Sequence, residues 1–358
     1  MYGLLRPLLF LLPPAAAHAA GMAALWPLER STALAAFARR FTAARGPART
    51  VMGLSFPSPV GVAGGFDKNA TRARALAALG FGFVELGTVT NEPQGPNPAP
   101  NLFRLPADRA LVNRLGFPNQ GARAVAARVR AYGKGAIGVP VAFSIGKSRS
   151  VDVEDLDRVV EDYAGAFEAV RDVSDFVVVN VSSPNTKNLR ALQSSELATR
   201  LLGELARRAG SLPLLVKIAP DLDDDALEAL LGVVDRAGIA GVVATNTTVA
   251  REGLSTPPDV VARIGAGGLS GPPLHARALA FVGRSRARLG SRAVVIGVGG
   301  IDTVAGAQEL LDRGADLLQV YTGFVYRGPS LPCLLARGLA LGGAATEPAR
   351  PASTSASP

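Results

Sequence analysis

The chain has 358 residues, of which 48% are hydrophobic and 19% charged, a balance that suits a large packed core and excludes global disorder. Its formal net charge of +9 fits an anionic lipid surface or an anionic small ligand, and no Lys/Arg-rich run with interleaved aromatics points to nucleic acid. A single cysteine, Cys333, and two histidines, His18 and His275, exclude an intramolecular disulfide, a cysteine metal cluster and a His-rich zinc site.

The opening from Leu4 to Pro14 is strongly apolar. It is shorter than the roughly 20 residues that span a bilayer, and prolines interrupt it. A signal peptide is one reading, with Ala17-His18-Ala19 as a small-residue cleavage site. Against it stand a single arginine as the whole positive region and an apolar run that ends in Pro13-Pro14. Further on, Ser31 is a candidate N-cap. Leu34, Phe37 and Phe41 fall on one helical face, with Arg39 and Arg40 off it. Two short helices with apolar faces and basic edges read as an interfacial membrane hairpin. A helix pair packed on the main domain is the alternative. This extension is expected over residues 1–45.

From about residue 59, short apolar runs alternate with helical patterns. Strands are expected at Val60–Gly64, Phe83–Gly87, Gly138–Ile145, Asp175–Val181, Leu214–Ile218, Gly241–Thr245, Ala293–Gly297 and Leu317–Tyr321. Helices are expected at Ala70–Ala78, Ala122–Ala131, Glu154–Val170, Glu196–Ala209, Asp223–Ala237, Arg277–Leu289 and Val304–Arg313, with a Pro/Asn-rich loop over Asn91–Pro100. About eight strand–helix units is the count of an α/β (β/α)₈ TIM barrel, expected over residues 46–341. A doubly wound sheet also alternates but rarely needs so many strands. Residues 342–358, rich in Ala, Pro, Ser and Thr without an apolar period, read as a disordered tail.

Barrel chemistry sits at the C-terminal strand ends. Here those ends carry Asp67-Lys68-Asn69, Thr88, Ser144, Asn180 to Asn185, Lys217, Thr245-Asn246-Thr247, Gly299-Gly300 and Tyr321-Thr322. One polar strand end is explained by a cap or a turn; polar groups after nearly every strand point to one shared mouth. Asn180, Asn185, Asn246 and Asn113 each offer an acceptor and donors, which suits a planar ring with carbonyl and N–H edges. Taken alone, the Asn180–Asn185 run also reads as an ordinary turn. Lys68 and Lys217 are expensive to bury unless they meet an anion or an electron-rich ring. The glycines of Leu269-Ser270-Gly271-Pro272 and Gly297-Val298-Gly299-Gly300 bracket the seventh strand, where barrels often hold a phosphate.

Nine segments in order resemble the signatures of the dihydroorotate dehydrogenases. They are Gly64-Gly65-Phe66-Asp67-Lys68, Glu85-Leu86-Gly87-Thr88-Val89-Thr90, Asn113-Arg114-Leu115-Gly116-Phe117, Asn180-Val181-Ser182-Ser183-Pro184-Asn185-Thr186, Val216-Lys217-Ile218-Ala219-Pro220-Asp221, Ala244-Thr245-Asn246-Thr247-Thr248, Gly267-Gly268-Leu269-Ser270-Gly271, Gly297-Val298-Gly299-Gly300-Ile301 and Tyr321-Thr322-Gly323. The resemblance runs from about residue 50 to 340. It implies oxidation of dihydroorotate to orotate in pyrimidine biosynthesis, with FMN as hydride acceptor. Ser183 stands at the position of the catalytic base. Soluble class 1 enzymes carry a cysteine there, so the serine, with the N-terminal extension, points to the quinone-dependent class.

By the same resemblance Asn113, Asn180, Asn185, Asn246 and Thr247 hold the pyrimidine ring, with Arg114, Leu115, Gly116 and Phe117 in the same segment, and Lys68 meets the carboxylate. Gly64, Gly65, Phe66, Asp67, Lys68, Thr88, Ser144, Asn180 and Thr245 match flavin contacts. Lys217 matches the lysine beside the flavin pyrimidine ring. Gly271, Gly300, Tyr321 and Thr322 match the phosphate end. His18, Arg104 and Tyr321 match residues of a quinone tunnel. One departure is that Phe143-Ser144-Ile145-Gly146-Lys147 has a serine where the family usually has an asparagine. The implied partners are ubiquinone or menaquinone and a membrane surface, no metal is implied, and the implied state is a monomer or weak dimer. The implied location is the cytoplasmic side of a bacterial inner membrane, held peripherally. Competing functions are another FMN barrel oxidoreductase using nicotinamide, a phosphate-binding barrel or membrane scaffold without turnover, and an aldolase-like barrel with Lys217 as a Schiff base.

Overall fold

A computed structural model describes residues 2–43, 48–186, 189–193 and 195–344. Eight parallel strands close into a barrel: β1 (Val60–Val62), β2 (Phe83–Val89), β3 (Val141–Ile145), β4 (Phe176–Asn180), β5 (Leu214–Ile218), β6 (Gly241–Ala244), β7 (Val294–Val298) and β8 (Leu317–Val320). Each strand pairs with its neighbours in sequence, and β8 pairs with β1 to complete the ring. Strands buried on both faces need no polar alternation. Accordingly Val177, Val178 and Val179 run consecutively through β4 without exposure. The expected strands all appear within a few residues of their predicted ends, and so do the seven expected helices.

The two ends of the barrel differ in chemistry. Its lower, N-terminal end is plugged by Phe56, Phe83 and Phe176, whose ring centroids stand 5.5 to 6.3 Å apart. Phe56 comes from a small antiparallel hairpin, Arg49–Val51 with Leu54–Phe56, that lies across this end. Gly61 of β1 has no side chain because the Phe83 ring occupies that space, 2.4 Å from where a Cβ would be. The upper end is left to polar groups. It is roofed in part by a three-stranded antiparallel sheet of Leu102–Leu105, Ala110–Asn113 and Gly268–Ser270, which the alternation pattern did not foretell.

Ahead of the barrel lie four short helices rather than two: α1 (Tyr2–Leu11), α2 (Pro14–Ala24), α3 (Trp26–Arg30) and α4 (Thr32–Thr42). Ser31 caps α4, its hydroxyl accepting from the Leu34 amide at 3.1 Å. Pro7 lies inside α1. It has no amide to donate to the Gly3 carbonyl one turn earlier. Glu29, 5% exposed, fastens α3 to the barrel by accepting from the Ala75 amide at 3.0 Å, while its own carbonyl accepts from Arg74 at 2.7 Å. At the other terminus a helix, Leu331–Ala344, extends past the expected start of the tail; residues 345–358 lie outside the described residues. Truncating the aromatic plug with Phe83→Ala is expected to lower unfolding free energy by about 3–5 kcal/mol, measured by denaturant melts.

Candidate active site

One large cavity opens at the C-terminal end of the barrel. Counted to its open mouth it encloses about 1040 Å³, ample for a cofactor together with a small substrate. On one side, Gly64, Gly65 and Lys68 enter from the end of β1 and Thr88 from β2. Asn180, Ser183 and Asn185 follow β4, Lys217 lies on β5, and Thr245, Asn246 and Thr247 follow β6. Gly271, Gly300, Tyr321 and Thr322 complete the wall, with the Tyr321 hydroxyl 3.4 Å from the Gly65 carbonyl. The antiparallel sheet contributes Asn113, and the loop after it Leu115, Gly116 and Phe117.

The amides are set by their own hydrogen bonds. Asn185 Nδ2 donates to Asn113 Oδ1 at 3.1 Å. Asn246 Nδ2 donates to Ser182 Oγ at 2.9 Å, and its Oδ1 accepts from the Thr247 amide at 2.8 Å. Asn180 Nδ2 donates to Thr88 Oγ1 at 3.1 Å, and the Asn180 carbonyl accepts from buried Tyr163 at 2.9 Å. Ser183, 5% exposed, accepts from the Asn185 amide at 3.2 Å. Nearby, the buried Thr186 hydroxyl has no hydrogen-bond partner among the described residues. Fixed amides of this kind are pre-organised to read a planar heterocycle.

Two lysines supply positive charge. Lys68 donates to the Gly65 carbonyl at 2.6 Å. It lies deep in the fold although part of its surface faces the open cavity. Burial pushes its ammonium down to about 8, with Asp67 pulling weakly the other way. Lys217 is 5% exposed and stands 3.8 Å from the carboxylate of Glu85, which has no exposed surface. Gln319 donates to the other oxygen of Glu85 at 2.6 Å. At the far end the Ser270 and Thr322 hydroxyls are 2.8 Å apart. Gly271 and Gly300 adopt φ of +109° and +70°, in the region that favours glycine.

Several predicted residues stand just outside the cavity. Ser144, fully buried, lies 2.9 Å from Thr88 Oγ1 and so orients that hydroxyl from behind. Asp67 accepts from the Thr71 and Arg72 amides, in the turn just ahead of the helix Ala73–Ala78. Arg114 reaches away from the cavity to the carbonyls of Ile264 and Ala266. Phe66 packs edge-on between Tyr321 and His18, at 5.5 and 5.3 Å. Burial, assisted by the charge of Lys68, pushes His18 down to about 4, so its ring is neutral near pH 7. Arg104 donates to the carbonyls of Phe10 and Leu12, closing the end of α1.

Sequence reasoning missed three supporting groups. Glu85 was detectable as an acid inside an otherwise apolar strand, a placement that demands a partner. His275 braces the glycine loop, with Nδ1 3.0 Å from the Gly299 carbonyl and Nε2 2.8 Å from Glu309. Arg190 joins three loops: it donates to the Ser182 carbonyl at 3.1 Å, to the Thr247 carbonyl at 3.1 Å and to Asp221 at 2.8 Å. No local pattern announces Arg190, because its partners come from three strand ends far apart in sequence.

Comparison with known proteins agrees with this arrangement. A family model described as dihydroorotate dehydrogenase matches residues 48–340. A protein of Rhodococcus opacus named dihydroorotate dehydrogenase (quinone) is 48% identical over 342 residues, covering 95% of this chain and 94% of that one. A Nocardioides protein of the same name is 52% identical over 305 residues, covering 81% and 85%. Among solved structures, DHODH in complex with ferulenol from Eimeria tenella superposes with a TM-score of 0.78 at 30% identity, covering 90% of this chain and 89% of that one.

Proposed function

We infer the part each residue plays from one premise: the chain belongs to the dihydroorotate dehydrogenase family. It oxidises dihydroorotate to orotate in pyrimidine biosynthesis, with a quinone as acceptor. The observation that carries the residue assignment is the meeting of Asn113, Asn180, Asn185 and Asn246 around Ser183 in one cavity that also holds two lysines.

The family is flavin-dependent, and the residues present fit FMN. Thr88, Asn180 and Thr245 offer polar groups to one edge of a planar ring, and Ser144 holds Thr88 in place. Lys217, 3.8 Å from the Glu85 carboxylate, suits the electron-rich pyrimidine edge of that ring. Gly271, Gly300, Thr322 and the Ser270 hydroxyl offer backbone and side-chain donors to a phosphate. When bound, FMN supplies a two-electron acceptor for the hydride leaving C6 of the substrate.

Four asparagines hold the substrate ring flat, and Lys68 binds its carboxylate. Ser183 Oγ takes the proton from C5. A hydroxyl is a weak base, so its own proton has to move on to solvent through a water-bridged relay, in which the Thr186 hydroxyl, three residues on and without a partner among the described residues, is the link. Arg190 holds the Ser182 and Thr247 carbonyls in register, which keeps Ser183 and Asn246 on the same substrate.

Quinone approaches through the extension. His18, Phe66 and Tyr321 form a line of edge-on aromatic contacts from α2 to the cavity wall. Around this line Leu4, Leu8, Leu11, Phe37 and Phe41 are more than half exposed, as a surface for lipid requires. No helix among the described residues is long and apolar enough to cross a membrane. The exposed apolar residues of the extension support a peripheral seat on the cytoplasmic face of the inner membrane, from which the enzyme takes ubiquinone or menaquinone.

Ser183→Ala should slow anaerobic flavin reduction by roughly 10²–10⁴-fold while orotate affinity changes little; equal losses in both would remove Ser183 from the proton step. Lys68 is cationic below about pH 8 and neutral above it. His18, at about 4, and Tyr321, raised to about 12 by burial, do not change charge across that interval. Orotate affinity should therefore weaken as pH rises through 8, by up to roughly tenfold per unit. In Lys68→Met, affinity should be weaker throughout and lack this component, as read by titration of the flavin spectrum. Trp26, the chain's one tryptophan and 52% exposed on α3, should shift its emission to the blue when phosphatidylglycerol vesicles are added.

A further inference from the structure

The helix Leu331–Ala344 buries Leu331, Leu335 and Leu339 against the barrel, each no more than 4% exposed. Its opposite face should be polar if water covers it. Instead Leu334 and Leu341 are 58% and 76% exposed. They are seven residues apart, two turns of helix, so they share one stripe. Arg337 lies between them and is the only charged residue from Leu331 to Ala344.

The position of this stripe is fixed at two points. Just before the helix, Gly328 lies against the ring of Tyr2 in α1, 2.3 Å from where a Cβ would stand. Within it, Arg337 Nη2 donates to the Phe41 carbonyl of α4 at 2.9 Å. The segment from Gly328 through the helix thus meets both α1 and α4, which places the stripe beside the exposed apolar residues that those helices carry. Charge on this surface is one-sided. Residues 2–43 hold Arg6, Arg30 and Arg40 against a single acid, Glu29, which is buried; Arg39 turns inward to the Ile137 carbonyl and is not part of this surface. The C-terminal helix adds Arg337 and no acid.

We propose that Leu331–Ala344 is the second half of the lipid-docking surface, and that the protein rests on an anionic phospholipid bilayer through α1, α4 and this helix together. The proposal rests on the membrane reading of the extension and extends it to the other end of the chain. Apolar side chains and arginines with no exposed acid match an anionic headgroup layer over hydrocarbon. Residues 345–358 contain no leucine, isoleucine, valine, methionine or aromatic residue, so their composition does not suit them to cover the stripe.

The test is co-sedimentation of the full-length holoenzyme with vesicles of phosphatidylglycerol and phosphatidylcholine. Three variants are compared: Leu334→Ser with Leu341→Ser, Phe37→Ser with Phe41→Ser, and Arg337→Gln. Each leucine pair member is exposed, so the first variant should keep its melting temperature and its turnover with a short-chain soluble quinone. Its partition onto vesicles should fall about tenfold or more. Arg337→Gln, with both leucines intact, should lose part of the preference for phosphatidylglycerol over pure phosphatidylcholine. If the phenylalanine variant leaves the vesicles while the leucine variant binds like wild type, the C-terminal helix is not part of the surface and the extension reading stands alone. If wild type does not bind at all, both readings fail. If the leucine variant instead converts a dimer to a monomer by light scattering with vesicle binding unchanged, the stripe is a self-association face and the proposal is overturned.

Discussion

Glu85 brings a carboxylate with no exposed surface into the middle of the barrel, and groups from three other strands or strand ends answer to it. Lys217 on β5 stands opposite one oxygen, and Gln319 on β8 donates to the other. Gly64, just past β1, has no side chain because a Cβ would lie 2.1 Å from Glu85 Oε1. Glu85 itself sits on β2. An unpaired buried charge of this kind is strongly destabilising, and so is an unpaired Lys217. The pair therefore makes the barrel floor and the cationic cavity wall one structural decision. What the carboxylate holds in place is a lysine that lines the cavity.

Above that floor, the site is organised by hydrogen bonds between side chains from distant strand ends. Thr88 is oriented by Ser144 and Asn180, Asn246 by Ser182 and Thr247, and Asn185 by Asn113. Arg190 and Asp221 lie behind these loops and tie them to each other. The extension is coupled to the same centre. Arg72, whose amide is held by Asp67, donates through its side chain to the Met22 carbonyl in α2, so the loop bearing Lys68 and the helix bearing His18 are joined directly. The cavity and the extension thus share one short stretch of chain.

The barrel and most of the cavity were legible in the sequence because both are written in local patterns. A parallel strand buried on two faces shows as an apolar run such as Phe176–Val179, and polar residues such as Asn180 or Lys217 stand out at its end. Ser31 was legible as a cap for the same reason. Long-range arrangements were not. The antiparallel sheet pairs Leu102–Leu105 with Ala110–Asn113 and then with Gly268–Ser270, more than 150 residues away, in segments too short to carry a period. Two short helices were expected in the extension, and four are present. Ser144 and Arg114 were read as ligand contacts from their places in motifs, whereas their side chains reach a neighbouring hydroxyl and a set of carbonyls.

The central claim is that this cavity joins two half-reactions, dihydroorotate in and quinone out. Anaerobic spectroscopy of the holoenzyme tests it most directly. Dihydroorotate should bleach the flavin band, and a soluble ubiquinone or menaquinone analogue added next should restore it. A flavin that stays oxidised with dihydroorotate would contradict the substrate assignment. A flavin that bleaches but is not restored by quinone would contradict the acceptor route through His18, Phe66 and Tyr321.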